Sequence, residues 1–543
     1  AATPFELMHA ILRAPVDLLW NGGIGTYVKA ASEGHAEAQD RANDAIRADG
    51  ETLRCKVVGE GGNLGFTQRG RIAYALNGGR INTDFIDNSA GVDCSDHEVN
   101  IKILLRGVMD AGELTMKQRD ELLASMTDEV GELVLRDNVL QNLALSMTQS
   151  LGAELLDAQM RLMRKLEREG RLDRQVEQLP SDAEMQERRK AGLGISRPEA
   201  AVLFAYAKMT LYEDLLKTEL PDRAYLERDL AKYFPRPLRR RFPEAIAKHR
   251  LRREITATWI ANSVVNRGLA TFVSELEDQT GASLEDVLLA YAAARDSFAL
   301  LKAWAAIEDL PIAVSGATQT RLLVAVRDVA MRGTRWFVTQ GGRPFRMRDT
   351  VARFRPGIEI VTTNLGQVIG PRHASAIDAT RAELEAEGVE PALAERIAGL
   401  PQLLAACDIV RAAPAGADGD DLLAVARVHF ALDDALDLPW LRRQIQATPR
   451  QSRWDRLALT GLEDDISGHL RALTQAAATA GAAGTDAPGT RASVAAWLER
   501  EVPAYRRLGA LQDDLRQMAE PNLSVLSVAV RTLAELVPRG IDT

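Results

Sequence analysis

Cysteine is nearly absent from this chain: Cys55, Cys94 and Cys407 stand far apart, and no C-x-x-C pair occurs. That scarcity excludes a disulfide framework and a cysteine-based zinc site, so no metal is expected, and a reducing cytoplasm is the expected compartment. Long apolar runs are also missing. No stretch could span a bilayer, and no basic n-region leads into an apolar h-region, so membrane and secretory readings lack support. Nor is there an excess of positive charge. Lys+Arg of 67 against Asp+Glu of 76 leaves a net charge of -9, the wrong balance for a general binder of nucleic acid or anionic membranes. The one strong basic cluster, PRPLRRRFPEAIAKHRLRR over 235–253, has no aromatic interleaving for base stacking. Helical spacing spreads its charges over more than one face, which predicts a solvated surface or salt bridges to acidic neighbours.

What remains is ample apolar content, 46% hydrophobic over 543 residues, enough for two to four domains. Residues 1–105 alternate between strand and helix. The pattern predicts a helix near 5–13, a strand over 16–20, a helix near 35–47 and a strand over 55–58. A helix around 67–76 follows, closed by Gly78 and Gly79, and then a strand over 80–86. This is doubly wound α/β alternation with few strands, and so narrow a sheet leaves a central strand as an edge. The chain opens at Ala1 without an initiator Met, so further strands are expected upstream.

From about Ser95 the apolar period becomes helical and stays so, as in 151–171 and 284–301. Ser196-x-x-Glu199 with Pro198 is a capping-box signature opening the apolar segment 200–211. The patch 334–361, with QGGRP and RPG turns, predicts a less helical insert, and 414–420 and 476–490 read as flexible loops. No regular repeat supports a solenoid. The expected domains are 1–105 and a helical 106–543, with subdivision near 334–361 and 476–490.

Chemistry concentrates in the turns of the first region. Gly59-x-Gly61 with Gly65 follows a strand and precedes a helix, but its G-x-G-x-x-x-G spacing differs from the G-x-G-x-x-G of a pyrophosphate loop. The segment reads instead as Gly59-Glu60-Gly61-Gly62-Asn63, followed by Asn88-Ser89-Ala90-Gly91-Val92-Asp93-Cys94-Ser95. These two motifs at this interval resemble glutamate dehydrogenase, and residues 17–105 are similar to the large multidomain bacterial NAD-dependent enzymes of that family.

The resemblance implies the C-terminal part of a Rossmann-like dinucleotide-binding domain followed by a large, mainly α-helical region. It implies oxidative deamination of L-glutamate to 2-oxoglutarate and ammonia with NAD, in a cytoplasmic homo-oligomer. Asn63, Asn88 and Ser95 would bind substrate. Asn21, Gly22, Gly23, Gly61, Gly62, Asn63 and Asn88 would contact the cofactor. The catalytic lysine and aspartate are expected upstream, none in this chain, so the chain alone is expected to be inactive. The helical region is expected to serve assembly or regulation.

Each motif has a plainer reading beside it. The turn Asn21-Gly22-Gly23-Ile24-Gly25 also suits a tight solvent turn. Ser95, with Glu98 three residues on, also reads as a helix cap, although a helix N-terminus attracts anions as well. Asp93, Asp96 and Glu98 crowd that turn, so an anion there needs a compensating cation. His97 reads as a surface or packing residue and Cys94 as an unactivated thiol. Two further classes stay open: an amino-acid dehydrogenase of other substrate choice, and a non-enzymatic helical scaffold with a degenerate nucleotide-binding remnant.

Overall fold

Two short apolar runs become parallel strands, β1 (Leu18–Asn21) beside β4 (Val57–Glu60), in the register Leu18↔Val57 to Asn21↔Glu60. A second parallel pair, β2 (Val28–Lys29) and β3 (Ala48–Asp49), lies between them in sequence. The structure, a computed structural model, describes residues 2–342, 345–449, 452–518 and 521–538. Its contacts divide the chain into two units, Ala1–Glu275 and Leu276–Thr543.

In the first unit, α1 (Pro4–Leu12) opens with a Thr3–Glu6 capping box. α2 (Gln68–Leu76) is capped by the Thr67 hydroxyl, and Gly78, at φ +91°, closes its C-terminus as expected. Val28, Val58, Phe66, Tyr74 and Ile81 form the small core between strands and helix. Two expected elements are replaced. The segment 35–47 is not a helix but two short 3₁₀ turns, because it wraps the buried Arg47, whose guanidinium bonds the Thr26 carbonyl oxygen at 2.8 Å and Asp44 at 2.5 Å. The segment 80–86 keeps only a bridge between Arg80 and Val57, after which α3 (Asp84–Asp87) turns its carboxylates back under the strand ends.

Helical structure therefore begins earlier than residue 95. α4 (Ser89–Asp110) contains residue 105, so both sides of the expected boundary belong to one helix. α5 (Met116–Ala124), α6 (Thr127–Leu151), α7 (Leu156–Arg168), α8 (Asp182–Lys190) and α9 (Arg197–Leu216) follow. The segment 151–171 is interrupted at Gly152, whose φ of +46° breaks the expected single helix. The capping box of α9 closes on its glutamate side: Glu199 accepts from the Ser196 N–H at 2.6 Å, while Ser196 Oγ finds no partner. The basic cluster makes its ion pairs inside the unit, Arg236 and Arg239 with Glu129 and Arg252 and Arg253 with Asp222.

Among its described residues the second unit has helices joined by loops and no strand. The expected insert over 334–361 is instead the end of the helix Gly316–Gln340 and most of the helix Met347–Thr363, with Pro356 inside it. Trp336, Phe337 and Phe354 stack edge to face at ring separations of 5.2–5.4 Å, and that burial overrides the turn-forming residues. Arg343 and Pro344 of the QGGRP turn lie outside the described residues. The segment 284–301 splits at Ala299, φ +50°, into helices Leu284–Ser297 and Leu300–Glu308. The loop over 414–420 is present up to Gly419. That over 476–490 is confined to 480–486, since the flanking helices Arg453–Thr479 and Ala487–Leu498 extend into it.

Glu199 is 2% exposed and bonded by Arg188 at 2.6 and 2.9 Å. Glu199→Ala leaves that guanidinium and the Ser196 N–H unpaired, so a loss of about 3 kcal/mol is expected. A urea titration followed by circular dichroism checks this; an unchanged midpoint would refute it.

Candidate functional site

The two parallel strands end side by side, and the turns that leave them form one surface. Gly61 and Gly62 donate their N–H groups to the Asn21 carbonyl oxygen at 2.9 and 3.0 Å. A Cβ on Gly62 would meet the Gly23 carbonyl oxygen at 2.6 Å, so only glycine lets the turns close on each other. With those N–H groups engaged, this turn is not a phosphate cradle, in keeping with its spacing. Asn21, Gly22, Gly23, Gly61 and Gly62 are thus gathered in one place, edged by the exposed side chains of Trp20, Ile24 and Leu64.

A buried polar network sits beneath this surface. Glu60, fully buried, accepts from Arg71 at 2.7 and 3.0 Å and from the Phe66 N–H at 3.2 Å. Arg71 also faces Asp84 at 3.2 Å, Asp84 accepts from the Leu64 N–H, and Asp87 accepts from the Glu60 N–H. Burial pushes the Glu60 pKa up; Arg71 opposes this, and Asp84 and Asp87 add to it. Burial works to lower the Arg71 pKa, but its acidic partners outweigh that and hold it above the usual value. One arginine serves several acids, and both ends of the 61–66 turn are tied to them.

That framework brings Asn63 to Asn88, with Asn88 Nδ2 donating to Asn63 Oδ1 at 2.5 Å. The bond leaves the Asn63 N–H₂ as a donor and the Asn88 Oδ1 as an acceptor. Asn21 Nδ2 is a third polar atom of the site, buried without a partner. Asn138 steadies the start of α4 by donating to the Ile86 carbonyl oxygen and Ser89 Oγ at 2.8 and 3.0 Å.

Ser95 is not a helix cap. α4 begins at Ser89 with Asn88 as its N-cap residue, and Ser95 lies within the helix, its hydroxyl donating to the Gly91 carbonyl oxygen at 3.3 Å. The cap falls earlier because Asn88 ends α3 and starts α4. Seven residues nonetheless return Ser95 to the face of Asn88, about 10 Å along the axis. Gly91 lies between them on that face, and a Cβ there would meet open space.

Behind this face, α4, α6 and α9 bring together groups that the sequence reading did not connect. Asp93, His97 and Asp137 place ligand-type atoms within 4.8 Å of one another. His97 is buried and stacked on Tyr233 at 4.3 Å, and burial lowers its pKa to about 4, which fits packing better than proton transfer. Lys208 lies over the Phe204 ring, and burial lowers its pKa to about 7 against the pull of Asp137 and Asp93. It supplies the compensating cation that the acidic turn requires, so the cluster has a counter-charge without a metal. No local sequence signal pairs residues 93 and 208.

The paired turns and asparagines lie together at the carboxyl ends of parallel strands, the place where open α/β sheets generally bind small molecules. Residues 1–148 match the family described as bacterial NAD-glutamate dehydrogenase, catalytic domain, and residues 192–535 match glutamate dehydrogenase, C-terminal. The chain is 43% identical to the NAD-specific glutamate dehydrogenase of Pseudomonas aeruginosa, over 98% of its own length and 33% of that protein's. It is 41% identical to the enzyme of the same name from Halomonas elongata, over 98% and 33%, and 38% identical to that of Mycobacterium tuberculosis, over 99% and 33%. The chain belongs to the bacterial NAD-specific glutamate dehydrogenase family, and it spans about a third of the length of these relatives.

Burial raises the Asp93 pKa from 3.8 to about 7, with Asp137 and Asp96 adding to the shift and Lys208 opposing it. Between those values the folded chain holds a proton that the unfolded chain has released, so this group's contribution to stability falls as pH rises. Asp93→Asn removes that fall. Its melting temperature relative to the parent should be lowest near about pH 4 and rise toward about pH 8; a difference independent of pH would refute the assignment.

Proposed function

We propose that this chain supplies one wall of the active site of an NAD-dependent glutamate dehydrogenase, on the C-terminal part of a Rossmann-like domain. The observation that carries the reading is the Asn63–Asn88 pair, set by the Glu60–Arg71 network at the ends of β1 and β4. The bonded amides offer one donor and one acceptor outward, the complement of an amino acid's α-carboxylate and α-amino groups. Ser95, on the same face of α4 beyond the bare Gly91, would bond the side-chain carboxylate that separates glutamate from leucine by turning its hydroxyl proton away from the Gly91 carbonyl oxygen.

The residues present fit a nicotinamide cofactor. Asn21 Nδ2 is an unused donor, and the turns at Gly22–Gly23 and Gly61–Gly62 carry no side chains over the strand ends. When bound, NAD supplies the ring carbon that accepts hydride from the substrate α-carbon, leaving an imine that water converts to 2-oxoglutarate and ammonia. Asn63, Asn88 and Ser95 would fix the substrate, so that alignment replaces a bimolecular search. Trp20, Ile24 and Leu64 present apolar surface around the turns, which would exclude water once ligands cover them. No proton-transfer role is assigned to a residue of this chain. Among the described residues no helix is long and apolar enough to cross a membrane. The isolated cysteines support a cytoplasmic setting.

In a full-length enzyme carrying this segment, Asn88→Ala and Asn63→Ala should each lower kcat/KM for glutamate by about a hundredfold. Ser95→Ala should raise KM for glutamate while leaving turnover of leucine unchanged. Steady-state kinetics checks both, and wild-type values for either asparagine variant would sink the substrate assignment. The 543-residue chain alone should form no NADH from glutamate; glutamate-dependent NADH formation by it would overturn the view that its catalytic groups lie elsewhere.

A further inference from the structure

The second unit contains a cavity of about 350 Å³ among its helices, next to a hollow of about 480 Å³ that shares Arg332, Pro401, Leu404 and Gln446 with it. Most charged groups around the cavity are paired. Asp433 bonds His373 at 3.1 Å and Arg442 at 2.6 Å. Asp408 bonds Arg471 at 2.9 Å and the Trp336 indole N–H at 3.0 Å, and Arg335 bonds Asp464 at 2.8 Å. Arg332 differs: half-buried, it lines both hollows and its side chain has no hydrogen bond or ion pair among the described residues, as is also true of Glu463 and the exposed Arg443 of the cavity wall.

A half-buried guanidinium without a hydrogen-bonded partner is costly, and this one has other cations for neighbours. Burial lowers the Arg332 pKa, and Arg335 and Arg442 add to that, while Glu463 and Asp328 oppose it. Gln402 Oε1, also in the wall, is buried without a partner and can accept a hydrogen bond. A chain selected for stability alone would hold a paired or apolar side chain at position 332. We infer that this cavity binds a small organic anion, whose carboxylate or phosphate pairs with Arg332 and whose hydroxyl or amino group donates to Gln402. The volume suits a molecule of metabolite size. The site is independent of the dehydrogenase reading, because it lies in the helical unit and its occupancy is measured without NAD or turnover.

The test is calorimetric titration of the 543-residue chain with succinate and, separately, with inorganic phosphate, against chloride at equal ionic strength. Saturable binding of at least one oxyanion is expected; which one binds identifies the group recognised. Arg332→Met should weaken that binding at least tenfold, with Arg332→Lys retaining part of it. Without ligand, Arg332→Met should melt at or above the parent, since it removes a half-buried charge that forms no ion pair among the described residues. Binding no stronger than that of chloride, undiminished binding by Arg332→Met, or a lower melting temperature for that variant would each overturn the proposal.

Discussion

The buried ion pair between Glu60 and Arg71 is the constraint on which the first unit depends. It joins the last residue of β4 to the middle of α2; Glu60 itself holds the Phe66 N–H, Asp84 the Leu64 N–H and Asp87 the Glu60 N–H, so the 61–66 turn is tied along its length. Removing one partner would leave a charge without compensation in the interior, at a cost of about 3–5 kcal/mol. The network also continues outward: Asn82 bonds Asp87, and Arg197, at the start of α9, bonds Asn82 and Asn142. The strand ends are thereby fixed to helices more than a hundred residues away.

This explains how a sheet region of such small extent can hold its turns in place. The turns after β1 and β4 pair through the Asn21 carbonyl, and glycine allows their close approach. The acids below hold the turn by its backbone N–H groups, so that Asn63 meets Asn88 without either side chain being buried. The surface left over carries the two amides edged by exposed apolar side chains, and beneath it the carboxylates and guanidinium are paired, whereas Asn21 Nδ2 and Thr83 Oγ1 are buried without partners.

The two units manage charge differently. In the first, Lys208 faces Asp93 and Asp137 across helices α4, α6 and α9, with pKa values drawn toward neutrality by burial. In the second, strong pairs such as Arg442 with Asp433 tie neighbouring helices together, and burial alone would not keep Asp433 ionised without those cations, which hold its pKa to about 2. Arg332 stands out against that pattern because, among the described residues, no acid forms an ion pair with it, although Glu463 and Asp328 lie near enough to act on its charge.

The sequence by itself determined what depends on near neighbours: the strand-turn-helix order around β4, the glycine end of α2, the cap at Glu199, the helical character of the larger part and the two asparagine motifs. Their family resemblance was legible as well, since it rests on residue type and interval. Where Trp336 and Phe354 met in a core, however, turn residues gave way to helix. Where Asn88 both ended one helix and began the next, Ser95 lost its capping role and became a position on an exposed face. Only the tertiary structure decided which polar atoms would be left without partners, Asn21 Nδ2 and the Arg332 guanidinium among them. Hydrogen-bond satisfaction at such atoms is set by groups distant in sequence, and periodicity and spacing carry no record of it.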